Sequence, residues 1–237
     1  MDSLENWRSA DRTSRISWLG YGEIWVATIR GLPEEDAVNR NSFGSKLLDL
    51  QRRQFQHDEI SHSDILTLLL PRRLTHFTLH FAKYLGRLPR AFSDPDALEI
   101  RRLAVDTLII ALAAANSMNL NLTERFARYG AVLRTRSAAR KPGEARLAIQ
   151  VEFAEIVGNM AKACEVLDHL ENYPSREILE QSTADIVDLC FRIAEQEQIE
   201  IIPAVIERWA QVEAKSVLKR AEPDIAAARS SSISAVA

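Results

Sequence analysis

The chain has 237 residues, 46% of them hydrophobic and 27% charged, which is enough for one large domain or two small ones. Its formal net charge of −3 gives no basic field, so we expect neither nucleic acid nor a membrane among its partners. No stretch reaches the length of a transmembrane helix, which needs about 18 consecutive apolar residues, and no secretion signal is recognised, so we expect a cytoplasmic protein. Cys164 and Cys190 are too few for a disulfide framework or a zinc cluster, so we expect buried thiols.

Residues 1–71 are predicted to form an N-terminal extension that is partly helical. Glycines, a proline and short apolar runs in residues 1–40 fit no single element. In residues 42–57 the apolar spacing, which includes Phe55, predicts a helix. His57-Asp58 is also the metal-binding pair of some phosphohydrolases, but the other ligands of that motif are missing, so a solvated turn is the better interpretation.

Two helices are predicted within residues 72–122. The first covers residues 72–88 and ends at Pro89, because proline removes a backbone donor and clashes with the preceding turn. The second covers residues 96–118 and is apolar most of the way round, which is typical of a central helix. Together these helices form a first hairpin. The basic connector that follows, residues 123–144, is interpreted as a solvated linker, with a phosphate-binding arm as the alternative.

A second helical hairpin is predicted at residues 145–201. Its helices run from about residue 144 to 170 and from 175 to 200, with a turn that contains proline between them. A C-terminal helix, residues 202–225, begins near Pro203. Residues 226–237 are rich in alanine and serine, a composition typical of a disordered tail.

The two hairpins are related by an internal repeat. A shift of 79 residues lays residues 73–122 on residues 152–201 without a gap, with six identities in fifty positions. Both copies consist of a helix, a turn that contains proline and a second helix. Two such hairpins packed together predict an all-α fold, in which tandem helical hairpins form a pseudo-twofold four-helix bundle with flanking helices.

Two pairs of acids distinguish the second hairpin from an ordinary helical sequence. Glu152 and Glu155 are spaced i, i+3, as are Asp185 and Asp188, so each pair lies on one face of its helix. The apolar residues around both pairs draw these helices into a core. Four acids that face one another at a helix interface require a metal ion or positively charged partners, because unpaired buried charge is costly.

The first hairpin keeps only one of the four acids, Asp106, so it should have lost any metal site. Its first helix has Arg73, His76, His80 and Lys83 on one face. A bundle with one acidic and one basic face could hold a magnesium ion together with the phosphates that it neutralises. His76 and His80 could instead bind a transition metal with Asp106, but a packed or phosphate-facing histidine pair is favoured.

The second hairpin resembles the MazG-like, all-α nucleoside triphosphate pyrophosphohydrolases, whose motif is E-x-x-E on one helix and E-x-x-D on the next. Glu152 and Glu155 match the first pair, Asp185 and Asp188 match the second, and Lys162 matches a lysine of the family. At residue 185 this sequence has Asp where the family has Glu. The resemblance implies cleavage of a nucleoside triphosphate to a monophosphate and pyrophosphate.

The same resemblance implies a Mg²⁺ cofactor, which Mn²⁺ could replace, held by Glu152, Glu155, Asp185 and Asp188. Glu152 or Glu155 would also orient or deprotonate the attacking water. The residues expected to bind the phosphates of the nucleotide substrate are Asn159, Lys162, Arg192, His76, His80 and Lys83.

A second hypothesis places the chain in a different functional class. The acid set of the second hairpin would then be as vestigial as that of the first, and the bundle would bind a nucleotide or a protein partner without catalysis. The chain could form a homodimer, although a fused tandem could satisfy a dimer interface within one chain. Convergence of the four carboxylates on one point separates the two hypotheses.

Overall fold

The computed structural model describes residues 34–93, 96–129, 142–169 and 171–215. Nearly all of these residues are helical and none of them forms a β-strand, which confirms the all-α prediction. In chain order the helices are α1 (Glu34–Ser61), α2 (Ser63–Leu66), α3 (Leu70–Ser93), α4 (Ala97–Ser117), α5 (Leu122–Tyr129), α6 (Pro142–His169), α7 (Ser175–Gln196) and α8 (Ile201–Glu213). None of these described helices has the length and apolar character needed to cross a lipid bilayer.

The chain divides into two compact units, Met1–Ser42 and Phe43–Ala237. In the first unit the structure describes residues 34–42, which begin α1. All contacts discussed below belong to the second unit. Several predicted segments lie outside the described residues, namely residues 1–33 of the N-terminal extension, residues 130–141 of the connector, the C-terminal helix beyond residue 215 and the tail.

Consecutive helices pack in pairs along the described chain. Helix α3 packs against α4, and α6 packs against α7, while α4 contacts α7 and α3 contacts α6. Helix α4 also contacts α8, and α5 contacts α7. The apolar sequence of α4 follows from this central position, since Leu108, Ala111 and Leu112 are fully buried.

The two hairpins end in the same backbone geometry. Asn119 and Gln198, which are 79 positions apart, each have a φ of 55°, the left-handed conformation that often closes a helix. The next residues, Leu120 and Ile199, each donate their backbone N–H to a carbonyl five residues earlier, at 2.9 Å and 2.7 Å. Helices α5 and α8 then also begin 79 positions apart. These matches in backbone geometry agree with the internal repeat of the sequence.

The left-handed residue at the end of α7 predicts a stabilising substitution. A side chain in this conformation costs roughly 1–2 kcal/mol, which glycine avoids at the expense of about 0.5–1 kcal/mol of chain entropy. We therefore expect Gln198→Gly to raise the free energy of unfolding by about 0.5 kcal/mol in urea denaturation. Asn119→Gly is the matched control and should gain less, because asparagine tolerates this conformation. A loss of stability in Gln198→Gly would contradict the expectation.

Pro89 does not end the first helix of the hairpin, as the sequence predicted, because α3 continues to Ser93. A proline inside a helix costs about 3 kcal/mol through the lost hydrogen bond and the clash of its ring. Leu88, Ala91 and Phe92 are buried around it, and their burial offsets that cost. Tertiary packing therefore outweighs the local effect of the proline.

The solvated turn predicted at His57-Asp58 is wrong. Both residues lie inside α1, which continues to Ser61, and they are only 5% and 7% exposed. The predicted orientation of the helix also differs, since Gln54 is 1% exposed and Phe55 is 48% exposed. Hydrogen bonding permits this burial, because Gln54 Nε2 donates to Asp58 Oδ1 at 2.8 Å.

Two other features differ from the sequence-based expectation. Helix α7 ends at Gln196, before the predicted end near residue 200. The connector is not entirely a linker, because its first residues belong to α5 (Leu122–Tyr129), which packs against α7.

Candidate functional site

The predicted acids lie on two helices that contact each other, Glu152 and Glu155 on α6 and Asp185 and Asp188 on α7. Apolar neighbours orient both helices, and the buried ones are Phe153, Ile156, Val157, Ile186, Val187 and Leu189. Asp188 is buried, Glu152 and Asp185 are partly buried, and Glu155 is exposed. Three of the four carboxylates are therefore at least partly removed from solvent.

Arg192 joins two of these acids. Its Nε donates to Asp188 Oδ2 at 2.8 Å, and its Nη2 donates to Glu152 Oε1 at 2.5 Å. The side chains of Arg192, Asp188 and Glu152 are 14%, 12% and 27% exposed. The guanidinium lies between the carboxylates, so a positively charged side chain compensates part of the negative charge at the helix interface.

The acids around Arg192 influence one another electrostatically. Burial raises the pKa of Asp188 to about 6, although the positive charge of Arg192 acts in the opposite direction. The negative charges of Glu152 and Asp185 add to this increase. Burial also lowers the pKa of Arg192, but Glu152 and Asp188 more than compensate, so Arg192 stays protonated. We call Glu152, Asp185 and Asp188, together with Arg192, the acid cluster; Arg192 is its one cation.

Asp185 belongs to a polar chain that reaches α5. Gln181 Nε2 donates to Asp185 Oδ1 at 2.7 Å, and Arg125 of α5 donates to the side-chain oxygen of Gln181. Asp106, the corresponding acid of the first hairpin, accepts a hydrogen bond from Arg208 Nε of α8 at 2.7 Å. In both hairpins the aspartate is thus linked to the short helix that follows the other hairpin.

The predicted phosphate-binding residues of the second hairpin lie in different places. Arg192 lies in the acid cluster, whereas Asn159 and Lys162 are exposed on α6. Lys162 Nζ donates to Glu165 at 3.1 Å, and this contact raises the lysine pKa. In the part of the chain that the structure describes, neither Glu155 nor Lys162 forms an ion pair with the residues of the acid cluster. The structure does not bring the predicted set together as one group.

In the first hairpin the structure brings His76, His80 and Lys83 together on α3. The ring centroids of His76 and His80 are 4.7 Å apart, and Lys83 Nζ lies 3.2 Å from His80 Nδ1. Burial lowers the pKa of His80 to about 4, and the positive charge of Lys83 lowers it further. Arg73 lies apart from this group, because its guanidinium donates to backbone carbonyls at and after the end of α2.

Mg²⁺ and Mn²⁺, the cations that the resemblance implies, require several oxygen ligands around one point. Among the described residues, no group of three or more histidine, cysteine, aspartate or glutamate side chains is arranged to hold a metal ion. Glu152 and Asp188 each direct an oxygen to Arg192, whose positive charge repels a second cation. As they lie, these side chains do not fit Mg²⁺ or Mn²⁺, and the four-acid metal site stays a prediction.

Comparison with protein families, with curated proteins and with solved structures finds no match to this chain. The resemblance to the MazG-like enzymes stays a prediction from the acid pairs and the lysine of their motif.

Sequence reasoning missed Gln181 and the ionic role of Arg192. The i, i+4 spacing of Asp188 and Arg192 is a signal that could have indicated an intrahelical ion pair. The bond to Glu152 has no such signal, because it depends on how α6 and α7 face each other.

Proposed function

We propose that this chain is a MazG-like, pseudo-twofold four-helix bundle that acts as a binding module for a nucleotide or a protein partner, without hydrolysing a nucleotide. The observation that supports this function best is the position of Arg192 between Glu152 and Asp188. These two carboxylates are half of the predicted metal ligands. Part of their charge is already compensated inside the protein, so the acid cluster serves to hold α6 and α7 together.

The electrostatics of the site favour the ion pair over a metal ion. A divalent cation at Glu152 and Asp188 would lie within a few ångströms of a protonated guanidinium. To admit the cation, Arg192 would have to leave a largely buried position and give up both hydrogen bonds. A further predicted ligand, Glu155, is exposed and would have to turn towards the interface.

Mg²⁺-dependent hydrolysis of a nucleoside triphosphate is the second candidate function. One observation favours it, since Glu152, Asp185 and Asp188 are close enough for the first two to raise the pKa of the third. Such a concentration of negative charge lies where the resemblance predicts the metal. In that function Asn159 and Lys162 would bind the phosphates.

Pyrophosphate release from a panel of nucleoside triphosphates tests the two functions directly. With Mg²⁺ present we expect no release above background from the wild type or from Glu155→Gln. Glu144→Gln, which removes an exposed acid from the same helix, is the matched control. Release by the wild type and by Glu144→Gln, but not by Glu155→Gln, would overturn the proposal and establish the hydrolase. Equal release by all three proteins would also overturn the proposal, and would show that Glu155 takes no part in the reaction.

A further inference from the structure

Three basic side chains of the first hairpin contact one another, and a fourth, His62, lies near them. We call this group, His62, His76, His80 and Lys83, the histidine–lysine cluster. His62 precedes α2, and the other three lie on α3. The rings of His76 and His80 are 4.7 Å apart, and Lys83 Nζ is 3.2 Å from His80 Nδ1. His62 is near enough for its charge to lower the pKa of His80. His62 and Lys83 are exposed, and His76 and His80 are partly exposed, so the group is accessible from solvent.

Among the described residues, Lys83 forms no ion pair with a carboxylate; it interacts with His80 Nδ1 and with the ring of Tyr84, whose centroid is 4.5 Å from Nζ. Two acids interact electrostatically with the histidines, Asp58 with His62 and Asp106 with His80. The carboxylate that faces His80 from α4 is Asp106, and it is already held by Arg208 at 2.7 Å. Elsewhere on the surface the exposed Lys162 is paired with Glu165. Lys83 thus differs from Lys162, because it contacts an imidazole and an aromatic ring and not a carboxylate.

The hydrogen bond within the cluster defines which nitrogen atoms remain available. The Lys83 ammonium donates to His80 Nδ1, so that nitrogen carries no proton and the neutral ring has its N–H at Nε2. Lys83 keeps two further N–H donors, since an ammonium has three. The cluster therefore offers the N–H donors of one ammonium and of the neighbouring imidazoles, and none of its four side chains is a carboxylate.

We propose that the histidine–lysine cluster binds the phosphate group of a small molecule. Lys83 supplies the fixed positive charge, and His62, His76 and His80 supply N–H donors. This ligand deepens the proposed binding function and rests on it, because the phosphate compound is bound and released unchanged. The site does not involve the acid cluster and needs no metal ion.

Binding should respond to pH through groups that face His80 from three elements. These are His76 and Lys83 on α3, His62 before α2, and Asp106 on α4. A bound oxyanion offsets the repulsion among the three basic neighbours and favours protonation of His80. Sulfate keeps its charge between pH 5.5 and 7.5, so a change in its affinity reports protonation of the protein. We expect sulfate to bind more tightly at pH 5.5 than at pH 7.5, and equal affinity at the two pH values would contradict the role of His80.

Isothermal titration of the full chain with pyrophosphate, in EDTA at pH 7, is the decisive experiment. Lys83→Gln should weaken binding at least about 10-fold, because it removes a charge-assisted hydrogen bond at an exposed position that does not contribute to the core. Arg90→Gln removes an exposed charge from the same helix and should leave binding unchanged within about twofold. A parallel titration with a nucleoside triphosphate separates the sources of the phosphate. Equal affinities indicate recognition of phosphate alone, and a tighter nucleotide indicates added contacts to the nucleoside.

Three results would overturn the proposal. They are absence of pyrophosphate binding by the wild type at millimolar concentration, equal binding by the wild type and Lys83→Gln, and weaker binding in Lys162→Gln but not in Lys83→Gln. Because the titration contains EDTA, it is independent of the hydrolysis test. Pyrophosphate can fail to bind while the chain remains non-catalytic, and the chain can prove catalytic while the cluster binds phosphate.

Discussion

Arg192→Met should lower the free energy of unfolding by about 3 kcal/mol at neutral pH. The substitution keeps a long apolar side chain but leaves Glu152 and Asp188 without the cation that both contact. Removing one partner of a buried ion pair costs roughly 3–5 kcal/mol. The lower end of that range applies because Glu152 is 27% exposed and can be partly solvated. Urea denaturation monitored by circular dichroism measures the loss.

The loss in Arg192→Met should shrink as the pH falls. The ordinary pKa of Asp188 is 3.8 and the folded protein raises it to about 6, so between these values the folded state binds more protons than the unfolded state. The contribution of this carboxyl to stability is therefore largest at low pH and declines as the pH rises through that window. Without Arg192 the pKa of Asp188 rises further, which extends the decline to higher pH. The difference from the wild type should be smaller at about pH 5 than at about pH 7.5.

Arg101→Met is the matched control for this effect. Arg101 also pairs with a carboxylate on another helix, since its Nη2 lies 2.6 Å from Glu207 Oε2, but both side chains are well exposed. Loss of such a pair should cost less than about 1 kcal/mol. Additional Glu152→Gln and Asp188→Asn substitutions should restore part of the stability of Arg192→Met, because no uncompensated charge remains. A loss in Arg192→Met that equals that of Arg101→Met and does not vary with pH would contradict the ionic role of Arg192.

The helices could be predicted from the sequence because their signals are local. The apolar run of α4 and the turn around Pro174 set the hairpins without reference to the rest of the chain. Packing explains the errors. Pro89 stays inside α3 because its neighbours are buried, and α1 turns Gln54 rather than Phe55 to the core. Gln54 can be buried because the folded protein supplies hydrogen-bond partners for it, and one of them, Trp209, is distant in sequence.

The sequence predicts which helix faces carry the acids of the candidate site. It does not predict which side chains pair there. The i, i+3 spacing placed Glu152 and Asp188 on the faces where α6 and α7 meet. The spacing of the acids does not distinguish a metal ion from a positively charged side chain as their partner. Arg192 reaches both carboxylates only because its own helix and α6 have a particular relative rotation. That rotation is set by core packing over the whole hairpin.

The largest single effect on stability is expected at Trp209, where Trp209→Ala should cost about 4 kcal/mol. The residue is 1% exposed, and its indole Nε1 donates to Gln54 Oε1 at 2.7 Å. Truncation leaves a cavity where α8 meets α1 and removes a donor from a buried amide. It also removes the ring beneath the guanidinium of Arg53, which lies 5.3 Å from the ring centroid. Urea denaturation measures the loss, and hydrogen exchange in α1 should increase because that helix loses a buried anchor.

Two further variants decide why Trp209 matters and which face of α1 is buried. Trp209→Phe keeps most of the apolar volume but not the hydrogen bond to Gln54, so it should cost about 1–2 kcal/mol. Phe55→Ala is the matched aromatic truncation on α1, and it should cost less than about 1 kcal/mol because Phe55 is 48% exposed. The sequence pattern alone predicts the opposite for Phe55, since it places this ring in the core. If Phe55→Ala were as damaging as Trp209→Ala, α1 would present its apolar spacing to the core and the buried contacts of Gln54 would be incorrect.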